Sequence, residues 1–308
     1  MAAPPDPAHA AVPADARDAI LAWYDATGRR LAFRSTADPY AVLVSELMAQ
    51  QTQAARAAAA WTDWMARWPT VTSLAAAPVA DVLRAWQGLG YNRRALNLHR
   101  AARAIVAEHG GQVPSTVAEL ETLPGVGPYT ARAVAAFAFR VPVGAVDTNV
   151  RRVLARIAAG GPEAFPGATI QALADASVPA DRPDAWTHAV MDLGARLCRP
   201  ARPACADCPA IAWCRYAAGE RPVAVPGQGT GPRAARRPEP AFPTTNRWLR
   251  GRILDQARAA DDGAWVAFGE PIGGHAPRAV REAVAALGAE GMLETRTTDE
   301  GVEARLPA

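Results

Sequence analysis

Apolar residues recur along most of the chain at the three-to-four-residue spacing of amphipathic helices. One such face in residues 15–27 predicts a first helix, which Gly28 ends. Between residues 39 and 155, further helical segments alternate with short breaks that contain glycine or proline. No stretch before residue 290 shows the alternation of a strand. We therefore predict a mainly α fold.

The pattern changes in the C-terminal third of the chain. Residues 221–245 are rich in proline and arginine and lack an apolar period, which is typical of a linker. Residues 246–308 then contain two helical segments, 247–259 and 277–287, and two short segments that flank the turn-like sequence Asp299-Glu300-Gly301. Helices followed by a hairpin indicate a small α+β module of the winged-helix type.

Composition narrows the function classes only slightly. All 33 basic residues are arginine, and the net charge is +3. Arginine binds phosphate well, but a codon bias explains the same composition, so it is merely compatible with DNA binding. No apolar run approaches the roughly 20 residues of a membrane span. Residues 1–14 lack the order of a secretion signal. We expect a disordered leader on a cytoplasmic, nucleoid-associated monomer without a membrane partner.

All four cysteines lie within 17 residues, which indicates one metal site rather than disulfide bonds. These residues are Cys198, Cys205, Cys208 and Cys214. Four thiolates on one short loop can hold a [4Fe–4S] cluster. Structural zinc sites normally join two short-spaced pairs across a longer gap, so the spacing favours the cluster and leaves zinc as the alternative.

The sequence LPGVGPY, residues 123–129, predicts a tight hairpin between two helices. Its glycines can adopt positive φ, and Pro128 suits the first position of the next helix. The backbone N–H groups of Gly125, Val126 and Gly127 can then bind a phosphate oxygen of DNA. An ordinary connection between helices is the alternative.

Two carboxylates are candidates for chemistry. Glu46 lies within an apolar stretch, where burial would raise its pKa and let it hold a proton near neutral pH. A solvated helix face is the alternative for Glu46. Asp147 follows the apolar run 141–146 and precedes a helix, which is typical of a plain helix cap, although a capping aspartate can also face a ligand. The polar residues 50–53 suit either a wedge into the base stack or a polar helix end.

Six ordered motifs within residues 15–217 resemble those of MutY-type adenine DNA glycosylases, which belong to the helix-hairpin-helix superfamily with endonuclease III. The motifs are residues 38–53, Gly88-Leu89-Gly90-Tyr91, the LPGVGPYTA hairpin, residues 146–153, Met191-Asp192-Leu193-Gly194-Ala195 and the cysteine loop. The resemblance implies a six-helix barrel domain over 35–145. It also implies an iron–sulfur cluster domain built from 15–34 and 146–220, with double-stranded DNA carrying a mispaired or damaged base as the partner.

The resemblance also implies roles for individual residues. Glu46 becomes the acid that protonates adenine at N7, and Asp147 the carboxylate that stabilises the cationic sugar. Tyr129 would stand beside the reacting centre, and Asn149 would help orient water or the sugar. Gln51 and Tyr91 match residues that wedge into the duplex beside the opposite base. Arg34 matches a DNA-binding arginine that reaches toward the active site, and Asp192 matches a position near the adenine pocket. Two departures stand out: Ala32-Phe33 replaces the usual Pro-Trp before Arg34, and Asn92 replaces a frequent tyrosine.

Tyr129 stands where relatives that also nick the DNA backbone have a lysine that forms a Schiff base. The chain contains no lysine. We therefore expect a monofunctional glycosylase that excises adenine opposite 8-oxoguanine or guanine. A thymine or uracil mismatch glycosylase and a non-catalytic iron–sulfur DNA-binding protein are the alternatives. Residues 246–308 are too short for the 8-oxoguanine-recognising β domain that the family usually appends, so recognition of that base rests on the resemblance alone.

Overall fold

The computed structural model describes residues 11–161, 167–220, 241–299 and 301–308. Most of the predicted leader and linker, and Glu300 of the predicted turn, lie outside these residues. The described part contains thirteen α-helices: α1 (Ala14–Thr27), α2 (Pro39–Ala49), α3 (Ala54–Arg67), α4 (Val71–Ala75), α5 (Val79–Ala85), α6 (Arg93–Glu108), α7 (Val117–Leu120), α8 (Pro128–Phe139), α9 (Thr148–Ala159), α10 (Gly167–Ser177), α11 (Pro183–Arg196), α12 (Asn246–Ala259) and α13 (Pro277–Ala289). The prediction of a mainly α fold is confirmed.

Three short strands form one antiparallel sheet in the order β1-β3-β2. They are β1 (Val266–Ala267), β2 (Glu294–Thr298) and β3 (Gly301–Arg305). The hairpin of β2 and β3 agrees with the predicted one. Strand β1 precedes residue 290, where the sequence shows no strand alternation, and it pairs with β3. A two-residue strand is too short to show alternation in a sequence.

The helix ends follow local chemistry. Gly28 ends α1, as predicted, with its N–H bonded to the Tyr24 carbonyl. Thr116 caps α7 by accepting the N–H of Glu119, which satisfies one of the free donors of the first turn. Pro128 occupies the first turn of α8, where its missing N–H costs nothing. None of the described helices is long and apolar enough to cross a membrane.

One compact unit comprises the described residues among 11–46, 115–122 and 126–220. In this unit α11 packs against α1, α8 and α9, and α10 packs against α9. Ile20, Leu154 and Trp186 are at most 2% exposed in the resulting core. Burial of each such side chain contributes about 1.5–3 kcal/mol. This core fixes the helices that carry the catalytic candidates and the cysteine loop.

The second unit comprises residues 47–114, 123–125 and the described residues of 241–308. Helices α4 and α5 pack against α6, and the indole of Trp64 contacts those of Trp68 and Trp86 edge to face. Helix α12 packs against both α13 and α5. The Arg258 guanidinium donates to the Leu83 carbonyl at 2.9 Å and to Asn92 Oδ1 at 2.7 Å. The C-terminal residues are therefore integrated with the helices of 47–114. The domain boundaries expected from the sequence stay a prediction.

Candidate active site

Glu46 is the buried carboxyl of α2. It is 8% exposed, and Val42, Leu43 and Leu47 around it are almost fully buried. Burial raises its pKa to about 7, although a hydrogen bond from Tyr129 and the charge of Arg34 act in the opposite direction. Because that value is close to neutral, Glu46 can both hold and release a proton at physiological pH. The sequence-based expectation of a raised pKa agrees with this environment.

Tyr129 lies in the first turn of α8 and donates a hydrogen bond from its phenol to Glu46. Burial, followed by the nearby negative charges of Glu46 and Asp147, raises the pKa of Tyr129 well above its ordinary value. The phenol therefore stays protonated and remains a donor. The structure thus brings together Tyr129 and both predicted catalytic carboxylates.

Asp147 caps α9 with one carboxylate oxygen and faces Asn149 with the other. Its Oδ1 accepts the Val150 N–H at 2.6 Å, and its Oδ2 accepts Asn149 Nδ2 at 2.9 Å. The two interpretations made from the sequence, a helix cap and a catalytic carboxylate, are therefore compatible. Asn149 itself is packed tightly, because a Cβ added at Gly194 would lie 2.6 Å from its Cβ.

Arg152 connects this carboxylate to the cysteine loop. Its Nη2 donates to Asn149 Oδ1 at 2.9 Å and to the Gly194 carbonyl at 2.7 Å. Its Nε donates to the Cys198 carbonyl at 2.7 Å. The orientation of Asn149, and through it of Asp147, therefore depends on the position of the loop. No pattern in the sequence points to this role for Arg152 beyond its place one turn into α9.

The guanidinium of Arg34 is held in place by Asp192. Asp192 is fully buried and accepts both Arg34 Nη atoms, at 3.0 and 3.1 Å. It also accepts the backbone N–H and Nε of Arg29, each at 2.8 Å. Although desolvation opposes ionisation, the hydrogen bonds from Arg34 and Arg29 lower the pKa of Asp192 below its usual value.

A cavity of about 40 Å³ lies beside Glu46. It is lined by Phe33, Arg34, Thr36, Val42, Ser45, Glu46, Phe137, Asp184 and His188. Asp192, which the resemblance places near the adenine pocket, is not in this wall, and its oxygens accept hydrogen bonds from Arg34 and Arg29. His188 stacks on Phe137 with 4.0 Å between ring centroids. Burial keeps the pKa of His188 well below its usual value, so the ring is neutral. The sequence analysis missed both Arg29 and His188.

In the other unit, the predicted wedge residues Gln51 and Tyr91 contact each other. The Tyr91 hydroxyl donates to Gln51 Oε1 at 3.3 Å. Both residues adopt positive φ, 55° and 47°, a conformation that side chains other than glycine rarely adopt and that is often found at functional sites. Tyr91 is 41% exposed. Its ring is therefore held out into solvent at a cost in backbone energy.

Arg94 holds both strained residues in position. Its buried guanidinium donates to the carbonyls of Leu47, Met48 and Gln50 on one side. On the other side it donates to the carbonyls of Leu89 and Gly90. Burial lowers the pKa of Arg94 to about 10, so the group stays charged at neutral pH. An arginine in an amphipathic helix carries no sequence signal for this role, and it was missed.

Of the two hairpin glycines, Gly125 adopts positive φ and Gly127, at φ −97°, does not. Gly125 has φ +80°, and a Cβ there would lie 2.6 Å from the Cβ of Asn97. Gly127 caps the N-terminus of α8. The residues at the turn, Gly125 and Gly127, are exposed while Val126 is buried. These features suit a phosphate contact by backbone N–H groups, and that contact stays a prediction.

The four cysteines converge on one enclosed cavity of about 20 Å³, whose wall is otherwise mostly apolar. None of them forms a disulfide bond. Burial raises the pKa of Cys208 to about 11, so its thiolate requires a nearby positive charge. Arg156 supplies one donor, to Cys198 Sγ at 3.3 Å. Among the described residues, no group of His, Cys, Asp or Glu side chains is arranged to hold a metal ion. The four thiols are candidate ligands for a metal group, and a cluster there stays a prediction.

The comparisons with known proteins agree with this geometry. A family model described as "HhH-GPD superfamily base excision DNA repair protein" matches residues 44–177. An adenine DNA glycosylase of Mycobacterium tuberculosis is 44% identical over 255 residues, which cover 79% of this chain and 78% of the relative. A solved structure of a thermostable thymine-DNA glycosylase has a TM-score of 0.62 at 27% identity, over 66% of this chain and 95% of that one.

A trapped endonuclease III–DNA covalent intermediate shares the fold, with a TM-score of 0.58 at 23% identity over 66% of this chain and 94% of that one. The resemblance inferred from six motifs is thereby confirmed, and it extends well beyond them. On the identity and coverage of its relatives, the chain belongs to the adenine DNA glycosylase family, within the HhH-GPD superfamily of base excision DNA repair proteins.

Proposed function

We propose that this protein is a monofunctional DNA glycosylase that hydrolyses the N-glycosidic bond of adenine mispaired with 8-oxoguanine or guanine. The observation that carries the proposal is the buried Glu46, with its pKa near 7 beside Asp147 and Tyr129. An acid and a carboxylate in different surroundings are what cleavage of a glycosidic bond requires. The 44% identity to an adenine DNA glycosylase supports adenine as the substrate.

In the proposed reaction, Glu46 gives its proton to N7 of the flipped adenine. The electrons of the N-glycosidic bond leave with the base, and the charge that develops on the sugar is stabilised by the Asp147 carboxylate. Water then adds to C1′ and returns a proton to Glu46. Tyr129 and Asn149 orient the two carboxylates through the hydrogen bonds described above. General acid catalysis of this kind contributes about 10²–10⁴ in rate.

The proposed reaction stops at the abasic strand. A nicking relative needs an amine that attacks the sugar, and a phenol cannot form that Schiff base. Tyr129 occupies the corresponding position, and the chain has no lysine that could substitute. An abasic product with an intact backbone is therefore expected.

A thymine or uracil mismatch glycosylase is the second candidate, favoured by the similarity to a thymine-DNA glycosylase at TM-score 0.62. Its identity of 27% is well below the 44% of the adenine-specific relative. Adenine therefore remains the first choice. The non-catalytic alternative is disfavoured by the presence of Glu46 and Asp147 in one site.

We propose that Cys198, Cys205, Cys208 and Cys214 hold a [4Fe–4S] cluster, because they line one enclosed cavity. The cluster would supply structural rigidity to the loop. Arg152 and Arg156, which bond the carbonyls of Cys198, Arg199 and Pro200, keep that loop against α9. Double-stranded DNA is the proposed partner, gripped in part by the Gly125–Gly127 hairpin.

The test is a single-turnover panel of duplexes that contain A:8-oxoG, A:G, A:C, T:G or U:G. We expect release of adenine from the first two and intact backbones until hot alkali is added. Borohydride present during the reaction should trap no covalent complex. Release of thymine or uracil in place of adenine would support the second candidate, and a strong trapped band would contradict the monofunctional assignment.

A further inference from the structure

Arg247, at the start of α12, lies on the exposed ring of Tyr91. Its Nη1 donates to the Tyr91 hydroxyl at 2.7 Å, and its guanidinium carbon is 4.6 Å from the ring centroid. The same guanidinium lies 5.1 Å from the ring of Phe242, which is 53% exposed. An arginine between two exposed aromatic rings presents both positive charge and flat stacking surface to solvent. Such a combination is typical of surfaces that bind unpaired nucleotides.

A groove of about 680 Å³ extends from this contact, entirely within the second unit. Its lining includes Gln51, Arg93, Asn97, Arg250, Gly251 and Glu290, besides Tyr91 and Arg247. Glu290 is the one carboxylate in that lining and is paired with Arg250 at 2.9 Å. Arg93 and Arg247 are exposed, and within the described part of the chain neither forms an ion pair with a carboxylate. The groove therefore carries uncompensated positive charge.

We propose that this groove binds the strand that carries the base opposite the excised one, with Arg247 and Arg93 on its phosphates and Tyr91 and Phe242 against its bases. The inference rests on the proposed function, which brings Gln51 and Tyr91 to that strand. Phosphate charge complements the two free arginines. The groove is also continuous with the residues that would meet the orphaned base. Residues 241–308 thus take part in DNA binding at the lesion itself.

Gly251, one turn after Arg247 in α12, offers a test that changes the charge of the groove without removing an arginine. It lies in α12 within the groove lining, and a Cβ added there meets nothing within 4 Å. Gly251→Glu therefore introduces a carboxylate into the groove without a clash. Gly251→Ala is the matched control, because it adds a side chain without charge.

The experiment measures binding of a fluorescent duplex with a tetrahydrofuran abasic analogue opposite 8-oxoguanine, which no glycosylase can cleave. We expect Gly251→Glu and Arg247→Ala to weaken binding about tenfold, and Arg247→Ala to lower the slope of log affinity against log salt by about 0.9. Gly251→Ala should bind within twofold of wild type. Arg278→Ala removes an exposed charge of the same module outside the groove lining. This variant should also bind within twofold of wild type.

Equal affinity of Gly251→Glu and Gly251→Ala would overturn the proposed groove. That result would leave adenine release by the wild-type protein unaffected, since binding to the analogue involves no base chemistry. Conversely, a wild-type protein that releases no adenine from any duplex would refute the proposed function, whatever the two glycine variants do. The two failures are therefore distinguishable.

Discussion

At the scale of single residues, the site contains two carboxylates in opposite surroundings. Glu46 sits among buried apolar side chains, and burial raises its pKa to about 7. Asp147 accepts one backbone and one side-chain N–H group. Placing an acid and an anion next to each other at the same pH requires this kind of difference. Arg34, held by Asp192, adds a positive charge that limits how far the pKa of Glu46 rises.

The raised pKa of Glu46 has a consequence for stability. The pKa of Glu46 in the folded protein, about 7, exceeds its ordinary value of 4.5. The contribution of the protonated side chain to the free energy of unfolding is therefore fully present below pH 4.5, and it is lost as pH rises through 7. Glu46→Gln avoids the cost of a buried charge. The free energy of unfolding of Glu46→Gln, measured relative to that of wild type, should rise by up to about 3 kcal/mol between pH 4 and pH 8. This figure follows from about 1.4 kcal/mol per pKa unit.

Thermal unfolding at pH 5 and pH 8 checks this expectation. The midpoint of Glu46→Gln should exceed that of wild type more at pH 8 than at pH 5. Glu108→Gln, on the exposed face of α6, is the control. Its unfolding midpoint should differ from that of wild type by the same small amount at pH 5 and at pH 8. A Glu46→Gln variant that is less stable than wild type at pH 8 would show that the carboxylate is stabilised in the fold.

At the scale of elements, several of the proposed site residues lie at the ends of helices. Asp147 caps α9 and Tyr129 lies in the first turn of α8. Gln51, just after α2, and Tyr91, just before α6, both adopt positive φ. Free backbone N–H groups at a helix N-terminus bind a carboxylate placed there, as the Val150 N–H binds Asp147. The strain at Gln51 and Tyr91 is offset by Arg94, which bonds carbonyls next to both.

The cysteine loop is the element whose cofactor can be measured directly. We expect the purified protein to be brown and to contain about four irons per chain. Cys208→Ser should lose iron, because its thiolate is a proposed ligand within the shared cavity. Asp207→Asn, a neighbour in the same loop that does not line the cavity, should retain it. An active, colourless protein with one zinc would contradict the cluster assignment.

At the scale of the whole molecule, local patterns were readable from the sequence and long-range ones were not. The mainly α fold and the C-terminal hairpin followed from periodicity, and Glu46 was identifiable because a carboxyl in an apolar run is unusual. The pairing of Arg247 with Tyr91 spans 156 residues of sequence, and no local pattern encodes it. The same holds for Arg94 and for the grouping of residues 241–308 with 47–114. These contacts depend on packing rather than on propensity.

The most direct test of the account is the pH dependence of single-turnover adenine release from an A:8-oxoG duplex. If Glu46 is the acid, the wild-type rate should fall above about pH 7, approaching tenfold per pH unit, as the carboxyl loses its proton. Glu46→Gln should bind the duplex but react at least about 10²-fold more slowly, with no such fall. A near-wild-type rate for Glu46→Gln, or a wild-type rate that stays constant from pH 6 to pH 9, would contradict the assignment of the acid.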